Sequence, residues 1–125
     1  MEKVLEARRQ QQARYIDLAR DYARRLEDRL CRPLTAIVIG SVARGDFNLW
    51  SDVDVVVIAD DLPADPLKRS TILYTDVEPA IEPKGYTYGE FARLLAAGHP
   101  LAREAAESGI VVREADGWRE RIRPH

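Results

Sequence analysis

Two aspartates stand where a strongly apolar segment begins in the middle of the chain. Asp52 and Asp54 lead into the apolar run at residues 55–58. Because alternate residues of a strand share a face, the two carboxylates would project to the same side, with Cα atoms about 6.6–6.8 Å apart. Two anions at the edge of a core repel each other and resist desolvation, so they need a raised pKa, cationic partners or a metal ion.

The residue types indicate which metal would suit this pair. Oxygen ligands without a nearby His or Cys favour Mg²⁺, with Mn²⁺ as a substitute. Magnesium held by one or two carboxylates usually completes its shell with water and substrate phosphates. The sequence therefore predicts a magnesium site at Asp52 and Asp54, and a ligand that carries phosphate.

A place for those phosphates precedes the aspartates. Gly40 and Ser41 follow a predicted buried strand and open a helical turn. Glycine lets backbone approach a ligand closely, and N–H groups at a helix start attract anions. The Ser41 hydroxyl adds a donor, and Arg44, one turn on, could brace either a phosphate or the aspartate pair. Each signal is common alone, but their order, with ten residues between Ser41 and Asp52, is specific.

This combination resembles the minimal nucleotidyltransferases of the DNA polymerase β superfamily, whose pattern is Gly-Ser, ten residues, then Asp-x-Asp. The core of the likeness covers residues 36–58, and a looser likeness continues to residue 111, so that about two thirds of the chain is included. The N-terminal helix lies outside it. The segments that carry the resemblance are Gly40-Ser41, Ala43-Arg44-Gly45-Asp46 and Ser51-Asp52-Val53-Asp54.

The resemblance implies a mixed sheet flanked by helices, a nucleoside triphosphate substrate, two Mg²⁺ ions, and transfer of a nucleoside monophosphate with release of pyrophosphate. It also implies a third catalytic, metal-binding carboxylate on a neighbouring strand, beside Asp52 and Asp54. Glu82 matches that position, and Glu78, expected on the same strand face, is the alternative. The family position is often Asp, and glutamate reaches farther.

The motif does not indicate which molecule accepts the nucleoside monophosphate. Small members of the family resemble antitoxins paired with HEPN-type RNase toxins, where the acceptor is a tyrosine hydroxyl of the toxin. The resemblance therefore implies a partner protein as acceptor and AMP from ATP as the transferred group. Two alternatives stay open: a binding-only antitoxin or regulator with this fold, and a transferase acting on a small molecule. Base preference and a homo- or hetero-oligomeric state also stay open.

The elements that must position these residues follow from hydrophobic periodicity. A long helix is predicted over residues 1–30, with an apolar stripe that begins at Tyr15. The helix also contains many arginines, and its arginine-rich face is expected either to be solvated or to dock a partner. Strands are predicted at 35–39, 53–59, 77–83 and 110–112, and helical segments at 42–49, 66–74, 88–98 and 100–108. This alternation predicts an α/β or α+β domain with a sheet of about four strands. The expected division is an N-terminal helix (1–32), a nucleotidyltransferase domain (33–116) and a weakly structured tail (117–125).

Composition limits the functional classes. The chain has 125 residues, 46% of them hydrophobic, and a net charge of −2, which argues against direct nucleic-acid binding. Cys31 is the single cysteine, so no disulfide can form within the chain. No apolar stretch approaches the roughly 20 residues that span a bilayer, and the N-terminus lacks a signal core. We therefore expect a soluble cytoplasmic protein with no membrane contact.

Three further side chains have a structural interpretation that is favoured over a functional one. Phe47 and Trp50 flank the loop before Asp52, where core packing or loop anchoring is favoured over stacking on a nucleobase. His99 precedes a proline at a helix break and is expected in a surface loop.

Overall fold

A computed structural model describes residues 2–48 and 50–123, which form a four-stranded sheet and six helices. The elements in chain order are α1 (Glu2–Leu30), β1 (Leu34–Ile39), α2 (Gly40–Arg44), β2 (Val53–Ala59), α3 (Pro66–Tyr74), β3 (Ile81–Tyr86), α4 (Tyr88–Ala96), α5 (Pro100–Ser108), β4 (Ile110–Arg113) and α6 (Trp118–Arg121). Among the described helices, none combines the length and the apolar character that crossing a bilayer would require.

The sheet has the strand order β3-β2-β1-β4. Strand β1 runs antiparallel to β2 and to β4, whereas β2 and β3 are parallel. This is the mixed sheet flanked by helices that the family resemblance implied, and β2 has the bounds that the sequence pattern predicted. The two longest pairings, β1 with β2 and β2 with β3, meet at the central strand that carries Asp54.

Strand β2 separates two apolar layers, because its alternate residues face opposite sides of the sheet. Val53, Val55 and Val57 pack with the buried face of α1. Val56 and Ile58 pack on the other side with side chains of α4, α5 and α6. Burying such a side chain contributes about 1.5–3 kcal/mol relative to leaving it exposed, so cover on both faces holds β2 firmly in place.

Helix α1 buries one stripe and leaves its first turns exposed, as the periodicity predicted. The buried residues recur at helical spacing and are Tyr15, Ala19, Tyr22, Ala23 and Leu26. The N-terminal part still reaches α2 and the loop that follows it (residues 45–48 and 50–52, the motif loop). Arg8 donates to the Phe47 carbonyl (2.6 Å) and Gln12 donates to the Val42 carbonyl (2.8 Å). Met1 lies outside the described residues.

The third strand differs from its prediction. It was expected at 77–83 but runs over Ile81–Tyr86. Arg25 of α1 binds the Glu78 carboxylate, and the Ile81 N–H donates to the Glu78 carbonyl (3.0 Å), so the chain turns before the strand begins. Pro83 lies inside the strand, which is tolerated because β3 is at the edge of the sheet.

The C-terminal segment is more ordered than its charge suggested, so the expectation of weak structure was wrong for residues 118–122. Trp118 and Ile122 are buried against the layer formed by α4 and α5. Arg121 pairs with Asp60 (2.6 Å) and lies 3.9 Å from the centre of the Tyr88 ring. Two apolar residues four apart are too short a signal by themselves, and a packed surface 30 residues earlier in the chain is what orders them. Residues 124 and 125 lie outside the described residues.

The helical segment predicted at 42–49 is shorter and begins earlier, as α2 (Gly40–Arg44). Gly45 ends it in the left-handed conformation at φ 84°, and its N–H donates to the carbonyl of Ser41. Residue 49 lies outside the described residues. The capping box at Thr87 and the start of α3 after Asp65 are as predicted.

Gly109→Ala should destabilise the fold. A Cβ at Gly109 would collide with the Ile37 side chain and lie 2.8 Å from the Ala105 carbonyl oxygen, although φ is an ordinary −70°. We expect a loss of about 1–3 kcal/mol in the free energy of unfolding, measured by urea denaturation. Gly89→Ala is the matched control, since its nearest contact is 3.5 Å away within α4 and alanine favours a helix. Equal stabilities of the two variants would contradict this account of the packing.

Glu27 should contribute stability that is lost in acid. Hydrogen bonds from Arg113 (Nε to Oε2, 2.9 Å) lower the pKa of Glu27 from its usual 4.5, and burial opposes this only in part. The unfolded chain therefore binds more protons near that pH, so stability is present above pH 4.5 and falls as pH drops through the folded pKa. Glu27→Gln should show a shallower loss of unfolding free energy below pH 4.5 than the parent chain, and identical slopes would refute the assignment.

Candidate active site

The Gly-Ser turn lies directly against Asp54. Ile39, the last residue of β1, pairs with Asp54 of β2, so the chain turns into α2 beside that carboxylate. Gly40 has φ +78°, a left-handed conformation that favours glycine, and a Cβ there would lie 2.7 Å from Asp54 Oδ2. Glycine is therefore required both by the backbone conformation and by the close approach of the carboxylate.

Glu82 is the register neighbour of Asp54 on the adjacent parallel strand. Residues in register on neighbouring strands share a face, so Glu82 and Asp54 project to the same side of the sheet. Glu78 precedes β3 and its carboxylate is bound by Arg25, so it shares no strand face with Glu82, contrary to expectation. Of the two glutamates that the sequence offered, the structure brings Glu82 to Asp54 and holds Glu78 elsewhere.

Asp52 stands exposed immediately before β2. In residues 2–48 and 50–123 it has no hydrogen-bond or ion-pair partner. The loop before it is organised by Asn48, whose N–H donates to Ser51 Oγ (2.9 Å) and whose Oδ1 accepts from the Trp50 N–H (2.8 Å). The loop is thus held by its own contacts, which leaves the Asp52 carboxylate open to a ligand.

Lys84 supplies a cation to this group of acids. Its Nζ lies 2.9 Å from Asp54 Oδ1. Burial alone would lower the pKa of Lys84, but the hydrogen bond to Asp54 and the charges of Asp54 and Glu82 outweigh burial and raise it. Lys84 was not predicted as a site residue, because the strand predicted at 77–83 ended one residue before it.

Glu104 of α5 binds the Gly-Ser turn. Its Oε2 accepts a hydrogen bond from the Gly40 N–H (2.7 Å) and lies 3.5 Å from the guanidinium of Arg44. Arg44 also contacts Asp46 (3.3 Å), so this arginine lies at the turn and is not braced against the aspartate pair. Sequence analysis missed Glu104 because the contact spans 64 residues and leaves no local pattern.

The residue types at this edge of the sheet fit a hard divalent cation. Asp52, Asp54 and Glu82 offer carboxylate oxygens, the donors that Mg²⁺ and Mn²⁺ prefer. Across the described part of the chain, however, no three His, Cys, Asp or Glu side chains are grouped closely enough to hold a metal. Mg²⁺ is usually held by one or two carboxylates together with water and substrate phosphates, and Asp54 is paired here with Lys84.

The flanking aromatic residues divide into an anchor and an exposed side chain. Phe47 is buried and packs edge-on against Tyr15, with ring centres 5.5 Å apart, which confirms its anchoring role. Trp50 is 90% exposed, so the expectation that it packs or anchors the loop was wrong. The Asn48 contacts already fix this loop. His99 is exposed, as expected, and its Nδ1 accepts from the Leu101 N–H at the start of α5.

Comparisons with known proteins identify the family and the fold. The family model described as "Nucleotidyltransferase domain" matches residues 20–108. None of the curated proteins searched matches the sequence. Among solved structures, the fold is similar to that of a candidate nucleotidyltransferase from Sulfolobus solfataricus, with a TM-score of 0.63 and 16% sequence identity over 83% of this chain and 84% of that one. Because the family model covers well over half of the sequence, the chain belongs to the nucleotidyltransferase domain family.

Proposed function

We propose that the chain is a magnesium-dependent transferase that moves a nucleoside monophosphate, AMP from ATP, to a hydroxyl on a partner protein. Family membership supports nucleotide transfer in general. The observation that carries the site assignment is the contact of the Gly40 turn with Asp54, whose strand neighbour is Glu82. This arrangement supports the proposal, because a nucleotide–metal complex needs donors for phosphate close to carboxylates that can hold a metal.

The binding roles follow from the donors and acceptors present. The Gly40 N–H and the Ser41 hydroxyl would bind the distal phosphates of the triphosphate. Asp52 and Asp54, with Glu82, would hold Mg²⁺ beside them. A bound Mg²⁺ would neutralise phosphate charge and orient the leaving group. Arg44, exposed at the rim of the turn, would accept part of the negative charge of the pyrophosphate.

The transfer itself is a displacement at phosphorus. The acceptor hydroxyl oxygen forms a bond to the α-phosphorus as the bond to the oxygen that bridges to the β-phosphorus breaks. Pyrophosphate leaves with that bridging oxygen and its electron pair. Glu82 lies on the face that carries Asp54 and is the carboxylate that would take the proton of the hydroxyl.

A protein acceptor is supported by the open surroundings of the site. Asp52 is exposed, and Trp50 beside it is 90% exposed. A groove of about 460 Å³ lies between the first turns of α1 and Phe47 and Asn48, which belong to the loop that precedes Asp52. Small molecules usually bind in enclosed pockets, whereas an open surface of this kind is better suited to a macromolecule. The resemblance to antitoxin-type relatives supports a tyrosine of a HEPN-type toxin as the acceptor.

A binding-only regulator is the second candidate. The ion pair between Lys84 and Asp54 favours it, because an internal cation already neutralises one proposed metal ligand. The two candidates differ in whether a covalent bond to the acceptor forms, so a label on the α-phosphate distinguishes them.

Label transfer from α-labelled ATP tests the proposal. The purified chain is incubated with ATP and Mg²⁺, with and without the product of an adjacent HEPN-type gene. We expect label on the partner protein that depends on Mg²⁺. Asp52→Asn should reduce transfer by at least about a hundredfold, because one charge that holds the metal and triphosphate is lost. Circular dichroism and the melting temperature should stay unchanged, since Asp52 is exposed.

Asp61→Asn is the matched control. It is the same substitution just past the opposite end of β2, at an exposed residue paired only with Arg32 among the described residues, and it should retain full transfer. Label on a small molecule alone would replace the protein acceptor with a metabolite. Nucleotide binding without any transfer would favour the regulator, and full transfer by Asp52→Asn would refute the site.

A further inference from the structure

Two charged side chains of the protein bind the groups to which the proposed function assigns the metal and the phosphate. The Lys84 ammonium lies 2.9 Å from Asp54 Oδ1, and Glu104 Oε2 accepts from the Gly40 N–H at 2.7 Å. A Cβ at Gly40 would lie 2.7 Å from Asp54 Oδ2, so the two contacts are close to each other. They come from different elements, since Lys84 lies on β3 and Glu104 on α5.

Each of these side chains has the charge of a substrate component. Lys84 places a cation on a carboxylate to which the proposed function assigns the metal. Glu104 places an anion on the N–H to which it assigns a phosphate, and Arg44 lies 3.5 Å from the same carboxylate oxygen. Each of these two groups is therefore paired within the protein, with a cation on the Asp54 carboxylate and an anion on the Gly40 N–H.

We propose that Lys84 and Glu104 make the site selective for nucleotide already loaded with metal, an inference that rests on the proposed function. A divalent cation that arrives alone has to displace the Lys84 ammonium from Asp54. A polyphosphate that arrives alone meets the Glu104 carboxylate, a like charge, at the Gly40 N–H. A metal–triphosphate complex supplies a cation to Asp54 and an anion to Gly40 together, and the released Lys84 gains the phosphates as partners.

The expected effects are moderate because both contacts are partly open to water. The side chains of Lys84 and Asp54 are 31% and 30% exposed, and that of Glu104 is 32% exposed. Solvent and salt weaken such pairs, so removing either one should change the affinity for a single component about three- to tenfold.

The cation arm measures Mn²⁺ binding without nucleotide, by titration calorimetry and the electron paramagnetic resonance signal of free Mn²⁺. Lys84→Met should bind Mn²⁺ about three- to tenfold more tightly than the parent chain. Lys84→Gln, which can still donate a hydrogen bond to Asp54, is the second variant in case methionine impairs folding. Lys68→Met, at an exposed lysine of α3, should leave the affinity unchanged. A merely structural role of Lys84 would not raise metal affinity.

The anion arm measures binding of tripolyphosphate without metal. Glu104→Gln should bind it about three- to tenfold more tightly than the parent chain, whereas Glu107→Gln, one turn along α5, should not. Unchanged or weaker binding of the single components by the Lys84 and Glu104 variants would overturn the inference while leaving the proposed function intact, provided that the parent chain binds Mn²⁺–ATP. Failure of the parent chain to bind Mn²⁺–ATP would overturn both.

Discussion

The antiparallel pairing of β1 with β2 is the constraint on which the site depends. It sets Ile39 opposite Asp54, so that the turn at Gly40 begins beside the carboxylate. Side chains alternate along a strand, so a shift of one residue would send Asp54 to the face occupied by α1 and separate it from Glu82. That shift would be costly, because it would bury the Asp54 carboxylate among the apolar side chains on the α1 side of β2.

The layers around β2 contribute unequally to the site. Helix α1 covers the face away from Asp54, and it contacts the Phe47 region through Arg8 and Tyr15 and helix α2 through Gln12. The other face carries α5, which delivers Glu104 to the turn, while β3 at the sheet edge delivers Glu82 and Lys84. The site thus lies where the Gly-Ser turn, strand β3 and helix α5 meet. Its acidic and basic side chains come from segments that are far apart in the sequence.

Sequence patterns predicted the parts of this arrangement that local physics determines. The apolar alternation of β2, the capped start of α4 and the Gly-Ser turn ahead of an acidic strand all depend on neighbours within a few residues. The late start of β3 could not be predicted, because Arg25 holds Glu78 from 53 residues away. Glu104 and the buried Trp118 were missed for the same reason, since each is positioned by a surface that forms only when the chain has folded. Lys84 was missed as a consequence of the wrong strand bounds, because the strand predicted at 77–83 ended one residue before it.

The two tryptophans of the chain lie in opposite environments, and this gives the protein two built-in optical reporters. Trp50 is 90% exposed beside Asp52, whereas Trp118 is 4% exposed within the layer of α4 and α5. Emission from Trp50 should lie at longer wavelength and be accessible to iodide or acrylamide, while that from Trp118 should be shielded. A molecule that binds at the acidic end of β2 would quench the fluorescence of Trp50 and leave that of Trp118 unchanged. Occupancy of the site and unfolding of the protein can therefore be followed separately in one unlabelled sample.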